Sequence, residues 1–262
     1  MNDLELALAA AAAGAAIVRD GFDSTHTIEQ KGRLDPVTEI DRASEAAIVA
    51  LLDEHRPEDG LLGEEGSTRE STGRRWIIDP LDGTVNFIHR IPQVGISVAL
   101  WDGDEPLVGV VVDAIRGEVF AAARGRGATR NGEQIGVSST SELHRSVIVT
   151  GFPYDHDRYA AEYARALAAV LAQVNGIRRL GSAALDFCWV ACGRFDGYWE
   201  YSIGPWDAAA GVLIAAEAGA TVTDVHGRRP TRSLRHVLAA NPTVHGQLRE
   251  ILEPLIPEHV DG

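Results

Sequence analysis

The stretch that decides the fold lies in the first half of the chain and reads Trp76-Ile77-Ile78-Asp79-Pro80-Leu81-Asp82-Gly83-Thr84. The apolar run 76–78 predicts a buried strand that ends at Asp79, because Pro80 cannot donate to a sheet and fixes a turn. Gly83 lets the backbone approach a ligand closely, and Thr84 begins a predicted short helical turn. The two carboxylates beside this strand end are oxygen ligands of the kind that Mg²⁺ prefers. An acidic turn without a metal has the same pattern.

Three further segments place acidic residues beside the ends of predicted elements. They are Gly63-Glu64-Glu65-Gly66 after an apolar pair, Gly204-Pro205-Trp206-Asp207 at the start of a predicted helix, and Asp35–Asp41 before another predicted helix. Each acid taken alone is more often a helix cap or a solvated turn than a ligand. Four acidic strand or helix ends in one chain nevertheless favour a metal site.

The order of predicted elements indicates layered α and β structure. In the first half, a helix ending near Arg19–Gly21 and a second helix over Asp41–Glu54 accompany a largely antiparallel sheet. The polar segment 24–39 is predicted to be an exposed loop. Lys31 in this loop could approach a bound phosphate or a third-metal site, although a solvated lysine is the commoner case. The second half alternates strands and helices and ends in a helix over Val244–Ile256. We expect one domain over 1–262, with a metal-binding half over about 1–140 and a substrate-side half over about 141–262, joined near 138–145.

Composition excludes several classes of protein. The net charge of −14 has the wrong sign for a protein that neutralises nucleic-acid phosphates. The apolar segment Leu6–Val18 is too short to span a membrane and has acidic residues before it. Cys188 and Cys192 are the only cysteines, lie four apart in a predicted helix and give no disulfide framework, so a reducing cytoplasm fits.

Four segments together resemble the inositol monophosphatase family. They are G-E-E (63–65), W-I-I-D-P-L-D-G-T-V-N-F (76–87), G-S-A-A-L-D-F-C-W-V-A-C-G-R-F-D-G-Y-W-E (181–200) and P-W-D-A-A-A-G-V-L-I-A-A-E-A-G-A (205–220). They occur in the family's order over most of the chain, from about Lys31 to Asp224. The resemblance implies an α/β/α/β/α sandwich, a phosphatase that depends on two to three Mg²⁺ ions, inhibition by Li⁺, and a homodimer.

The resemblance also implies roles for particular residues. The metal ligands would be Glu64, Asp79, the carbonyl of Leu81, Asp82 and Asp207, with Glu64 also serving a weaker third metal. Thr84, paired with Asp41, would orient and deprotonate the attacking water, so that no phosphoenzyme forms. The substrate contacts would be Asp82, the backbone N–H groups of Gly83 and Thr84, the turn Gly181-Ser182-Ala183, Glu200 and Asp207.

The substrate class stays open at this point. A phosphorylated polyol such as inositol monophosphate is the first expectation, because Glu200 is suited to accept hydrogen bonds from hydroxyl groups. Fructose 1,6-bisphosphate, histidinol phosphate and phosphoadenosine phosphate are substrates of related enzymes. A second phosphate would call for a cation, which Arg178, Arg179 or Arg194 could provide.

Two other phosphatase chemistries and one non-catalytic function compete with this interpretation. A haloacid-dehalogenase nucleophile is absent, since Pro80 stands two residues before Asp82. Cys188 and Arg194 have the spacing of a cysteine phosphatase, but apolar residues replace its glycine-rich phosphate loop, which favours a core cysteine. A regulatory protein on the same scaffold would be free to lose the acidic residues that this chain retains.

Overall fold

Seven α-helices and fifteen strands stack in alternating layers in a computed structural model that describes residues 1–71, 73–152, 156–232 and 235–255. The helices are α1 (Asp3–Gly21), α2 (Glu39–His55), α3 (Thr84–Ile88), α4 (Ala160–Leu171), α5 (Ala183–Ala191), α6 (Pro205–Glu217) and α7 (Pro242–Leu252). The first-half strands are β1 (Ile28–Gly32), β2 (Asp35–Thr38), β3 (Gly60–Gly63), β4 (Thr68–Arg69), β5 (Arg74–Asp82), β6 (Gly95–Asp102), β7 (Glu105–Asp113), β8 (Glu118–Ala123), β9 (Ala128–Arg130) and β10 (Glu133–Gln134). The second-half strands are β11 (Val147–Thr150), β12 (Gly176–Arg178), β13 (Gly197–Tyr201), β14 (Thr221–Thr223) and β15 (His236–Ala240).

The larger sheet has eight strands in the order β10-β9-β8-β7-β6-β5-β3-β4. All its pairs are antiparallel except β3 with β5. Alternate residues of β5 point to opposite faces, as the period of a strand requires. Trp76 and Ile78 pack into the core with α1 and α2, whereas Ile77 packs into the core that contains α5 and α6. Both faces of this sheet are therefore covered by helices.

The smaller sheet has five strands in the order β12-β11-β13-β15-β14. Strand β11 is parallel to both of its neighbours, and β15 is antiparallel to both of its own. Tyr198 faces the core shared with α5 and α6, and Trp199 faces the outer core with α4 and α7. The layers thus run α1/α2, large sheet, α5/α6, small sheet, α4/α7, which confirms the expected α/β/α/β/α sandwich.

Two local predictions were wrong. Strand β5 does not end at Asp79 but continues to Asp82, with one extra residue between the pairs Asp79–Ser97 and Asp82–Gly95. Pro80 therefore sits in a β-bulge, where its missing N–H costs no ladder bond. The segment 24–39 is not a loop throughout, because β1 and β2 form a hairpin within it.

The helices and the domain organisation bear on the remaining predictions. Helix α1 ends where the sequence indicates, and none of the helices in the described ranges is long and apolar enough to cross a membrane. The end predicted for the last helix, Ile256, lies outside the described residues. The division of one domain near 138–145 stays a prediction.

Candidate active site

Three aspartates from the two halves of the chain meet at one point. Asp79 and Asp82 flank the bulge of β5, and Asp207 is the third residue of α6, which enters from the second half. Carboxylate oxygens of the three lie within 4.8 Å of one another. The acidic segments singled out by their sequence thus converge in space, and we call Asp79, Asp82 and Asp207 the aspartate triad.

Local hydrogen bonds fix the orientation of each triad member. The backbone N–H of Leu81 donates to Asp79 Oδ1 at 3.0 Å, across the bulge. Asp82 Oδ2 accepts from Ser182 Oγ and from the Ala184 N–H, both at 2.7 Å, at the start of α5. Asp207 Oδ2 accepts from the N–H of Gly204 at 2.7 Å, so it also caps its helix. The helix-cap interpretation and the ligand interpretation of Asp207 are therefore compatible.

Burial and mutual repulsion make the triad a strong site for a cation. Burial, followed by the charges of Glu64, Asp82 and Asp207, raises the pKa of Asp79 well above its ordinary value. Burial also raises the pKa of Asp82 to about 6, although the hydrogen bonds from Ser182 and Ala184 oppose the rise. A divalent cation would relieve this repulsion and is bound by oxygen ligands of this type. The residues present therefore fit Mg²⁺.

A fourth carboxylate, Glu64, follows the end of β3 and makes an ion pair with the β1–β2 hairpin. Lys31 Nζ lies 2.7 Å from Glu64 Oε1 and 2.7 Å from Glu65 Oε1. Burial raises the pKa of Glu64 to about 7, and Lys31 acts against that rise. Burial also disfavours the charged form of Lys31, but the nearby carboxylates of Glu64 and Glu65 have the larger effect and raise the pKa of Lys31. Lys31 is exposed, as expected of a solvated lysine, but it lies on a strand and not in a loop, and the hairpin places its ammonium group on these acids beside the cavity.

The Thr84 hydroxyl is held beside the triad. Thr84 Oγ1 lies 2.9 Å from Asp41 Oδ1 and 3.2 Å from the carbonyl oxygen of Leu81. Asp41 Oδ2 in turn accepts from the N–H and the hydroxyl of Thr38, at 2.9 and 2.6 Å. Asp41 therefore caps α2 and still presents one oxygen to Thr84. A carboxylate in hydrogen-bond contact with a hydroxyl can take up its proton.

A cavity of about 470 Å³ opens in front of these residues. Its walls include most of the sequence-predicted contacts, namely Glu64, Asp82, Gly83, Gly181, Ser182, Ala183, Glu200 and Asp207. The remaining predicted site residues are buried behind the wall, with at most 3% of each residue exposed: Asp41, Asp79, Leu81 and Thr84. Gly83 has a φ of 98°, and a Cβ there would lie 2.9 Å from the carbonyl oxygen of Gln93. Only glycine suits this close approach.

Glu200 lies on the wall of the cavity that β13 provides. The hydroxyl of Tyr198 donates to Glu200 Oε2 at 2.6 Å. Burial raises the pKa of Glu200 to about 7, whereas the Tyr198 hydrogen bond and Arg179 lower it. A Cβ on Gly151 would overlap the Glu200 carboxylate, so the glycine makes room for it. Glu200 is a buried hydrogen-bond acceptor on the side of the cavity formed by the second half.

Sequence reasoning missed Asp186 of α5, which also lines the cavity. Within the described part of the chain its Oδ1 atom is buried without a hydrogen-bond partner. Burial, followed by the charges of Glu200 and Asp82, raises its pKa well above the ordinary value. The available signal was a single acid in the apolar run 183–192, at a position where a core residue is expected.

Of the arginines and the cysteine considered above, only Arg179 lies at the cavity. Arg179 lines the cavity, whereas Arg194 is bound to both oxygens of Glu118, at 2.5 and 2.6 Å. Cys188 is fully buried in the core between the sheets, and burial raises the pKa of its thiol well above the ordinary value. This environment favours an inert core thiol over a nucleophile.

Comparisons with known proteins agree over nearly the whole chain. The model of the inositol monophosphatase family matches residues 2–259. The "Nus factor SuhB" of Pseudomonas aeruginosa is 38% identical over 237 residues, which cover 88% of each chain. The "Inositol-1-monophosphatase" of Synechocystis is 40% identical over 252 residues, covering 95% of this chain and 88% of the other. The solved inositol monophosphatase of Anabaena superimposes with a TM-score of 0.87 at 38% identity, over 98% of this chain and 97% of the other.

Proposed function

The chain belongs to the inositol monophosphatase family, and on that premise we propose that it is a Mg²⁺-dependent phosphomonoesterase that hydrolyses inositol monophosphate or a similar polyol or sugar phosphate. One observation carries the proposal. The carboxylate oxygens of the aspartate triad lie within 4.8 Å of one another, and two of its members, Asp82 and Asp207, line a cavity of about 470 Å³. The family membership supports the phosphatase class, and the chemistry of the cavity supports the substrate class.

The proposed metal ligands are the aspartate triad, Glu64 and the carbonyl oxygen of Leu81, for two to three ions. Bound there, Mg²⁺ would neutralise the charge of the phosphate and of the leaving oxygen and lower the pKa of water. The ordering of the triad by Leu81, Ser182 and Gly204 means that little reorganisation is needed before a cation binds. Lithium is proposed as an inhibitor through the same carboxylates.

Thr84 and Asp41 are proposed to take the proton from the attacking water. The Thr84 hydroxyl would accept a hydrogen bond from the attacking water while donating its own proton to Asp41 Oδ1, 2.9 Å away. The water oxygen would form the new bond to phosphorus as the ester P–O bond breaks, and the leaving alkoxide would take a proton from solvent water. Asp41 would return its proton to solvent, so that the net reaction is ester plus water giving alcohol and inorganic phosphate. No side chain forms a covalent bond in this sequence, so a trapped phosphorylated residue would contradict it.

The polyol is proposed to bind on the second-half wall of the cavity. Glu200, buried and held by Tyr198, would accept hydrogen bonds from substrate hydroxyls. The turn Gly181-Ser182-Ala183 lines the same cavity, with Ser182 hydrogen-bonded to Asp82, and would also contact the substrate. The N–H groups of Gly83 and Thr84 would hold the phosphate.

Phosphate release from a panel tests the substrate class. The panel contains inositol 1-phosphate, fructose 1,6-bisphosphate, histidinol phosphate and phosphoadenosine phosphate, each with Mg²⁺. The proposal expects the highest kcat/KM with a polyol or sugar phosphate. A clear preference for histidinol phosphate or the nucleotide would contradict the assigned substrate class.

A second candidate function is regulatory, because relatives at 37–38% identity carry the name Nus factor. This function would coexist with catalysis or replace it. If folded, Mg²⁺-loaded protein released no phosphate from any substrate of the panel, the regulatory function would be favoured over the phosphatase.

We further propose a cytoplasmic homodimer, in line with the family; light scattering of the purified chain measures its mass.

A further inference from the structure

Arg179, which follows β12, occupies a defined position at the rim of the cavity. Its guanidinium carbon lies 5.7 Å from the centroid of the Phe152 ring, within range of a cation–π contact. It also approaches Gly181, where an added Cβ would lie 2.5 Å from Arg179 Nη1. The side chain therefore contacts an aromatic ring and a glycine that leaves space for it.

The charge of Arg179 lacks an acidic partner. Across the described ranges, no carboxylate lies within ion-pair distance of its guanidinium, although most arginines of this acidic chain are paired with one. Arg179 nevertheless acts on the cavity, since it is among the charges that lower the pKa values of Asp186, Glu200 and Asp82. Its position follows from its aromatic contact, because Phe152 lines the cavity directly after Gly151, the residue that makes room for the Glu200 carboxylate. Arg179 thus lies beside the wall of the cavity that carries Glu200.

We propose that Arg179, positioned by Phe152 and Gly181, is a specificity-determining residue that binds a second anionic group of the substrate, remote from the phosphate that is hydrolysed. This inference rests on the proposed function. A guanidinium provides up to two parallel hydrogen bonds to a phosphate or carboxylate, and a cation without a protein partner keeps those donors available for a ligand. The polyol portion of a monophosphate is uncharged and needs only the acceptors on this wall. Arg179 would therefore distinguish substrates with a second anionic group from those without one.

Two sugar phosphates that differ only in the second phosphate provide the test. Phosphate release is measured with fructose 1-phosphate and with fructose 1,6-bisphosphate, in the wild type and in Arg179→Gln and Arg179→Lys. The account expects Arg179→Gln to lower kcat/KM for the bisphosphate at least about tenfold, mainly through KM, because it removes a charge-assisted hydrogen bond. The value for the monophosphate should change less than about twofold, and Arg179→Lys should restore part of the loss.

A neighbouring arginine provides the matched control. Arg178 is exposed like Arg179, but it does not line the cavity, and it donates to the carbonyl oxygen of Ile177 at 3.0 Å. Arg178→Gln should leave both kcat/KM values unchanged, and the melting temperatures of all variants should match the wild type. A second comparison is Arg235→Gln, since Arg235 also lines the cavity.

Each contrary outcome has a distinct meaning. Equal losses for both substrates in Arg179→Gln would place Arg179 at the hydrolysed phosphate and overturn the assignment, as would no loss for either. A selective loss in Arg235→Gln alone would move the second anion to another residue and also overturn it. If the wild type hydrolysed neither substrate nor inositol 1-phosphate, the proposed function would fail and this inference with it.

Discussion

Replacement of Glu200 by glutamine is expected to make the metal-free protein more stable and the loaded enzyme less active. Burial raises the pKa of Glu200 from 4.5 to about 7. Each pKa unit corresponds to about 1.4 kcal/mol, so a charged Glu200 lowers the free energy of unfolding by about 3 kcal/mol at pH 8. Glutamine has nearly the same shape, fits over Gly151 and can still accept the hydrogen bond from Tyr198, but it carries no charge.

The sign of the pH dependence follows from proton binding. Between pH 4.5 and about 7 the folded chain holds a proton on Glu200 that the unfolded chain releases. The contribution of Glu200 to stability is therefore complete below pH 4.5 and is lost as the pH rises through about 7. Glu200→Gln removes this loss. We expect the variant to exceed the wild type by about 3 kcal/mol at pH 8 and to match it near pH 4.5.

Urea unfolding in EDTA, at several pH values from about 4.5 to 8, measures the effect, and phosphate release with Mg²⁺ measures the loss of activity. Glu118→Gln is the matched control, because the hydrogen bonds from Arg194 lower the pKa of Glu118 and its replacement should destabilise the protein at pH 8. A Glu200→Gln variant that is no more stable than the wild type at pH 8 would refute the reasoning. Undiminished activity would refute the binding role of Glu200.

Three shorter predictions concern the phosphate side of the site and the thiol. Gly83→Ala should lower the free energy of unfolding by about 1–3 kcal/mol in a denaturant titration, because φ is 98° and the new Cβ would lie 2.9 Å from a carbonyl oxygen; an unchanged midpoint would contradict this. Thr84→Ala and Asp41→Asn should each lower kcat at least about hundredfold with Mg²⁺ saturating, and a double variant no worse than either single one would indicate that the pair acts as a unit. Cys188→Ser should keep at least about half of the wild-type kcat, since a buried thiol with a raised pKa is a poor nucleophile; near-complete loss in folded protein would revive a cysteine mechanism.

The layered fold could be predicted from the sequence because it rests on short-range signals. The apolar run before Asp79 marks the strand, and Pro205 at the start of α6 marks the helix that delivers Asp207. Family resemblance then assigned the acids to one site, which spacing alone could not do across more than 120 residues. The structure brings those acids together, while their roles in catalysis stay proposals.

The features that the sequence did not reveal depend on tertiary contacts. The bulge at Pro80 exists only because β6 pairs on both sides of it, so the strand could not be followed past Asp79 from local pattern. The ion pairs of Lys31 depend on a hairpin that folds over a distant strand end. Asp186 looked like part of an apolar helix, and only the packing of α5 beside the cavity gives it a polar environment. Long-range pairing of this kind leaves no periodic signal in the chain.

The most direct test of the central claim is phosphate release from inositol 1-phosphate, with Mg²⁺ and with EDTA, by the wild type, Asp79→Asn and the control Asp53→Asn. Asp53 forms an ion pair with Arg69 on the surface, away from the cavity. The account predicts Mg²⁺-dependent release by the wild type and Asp53→Asn that EDTA abolishes, and none by Asp79→Asn at any Mg²⁺ concentration. Full activity of Asp79→Asn, or release by the wild type that persists in EDTA, would contradict a metal-dependent phosphatase built on the aspartate triad.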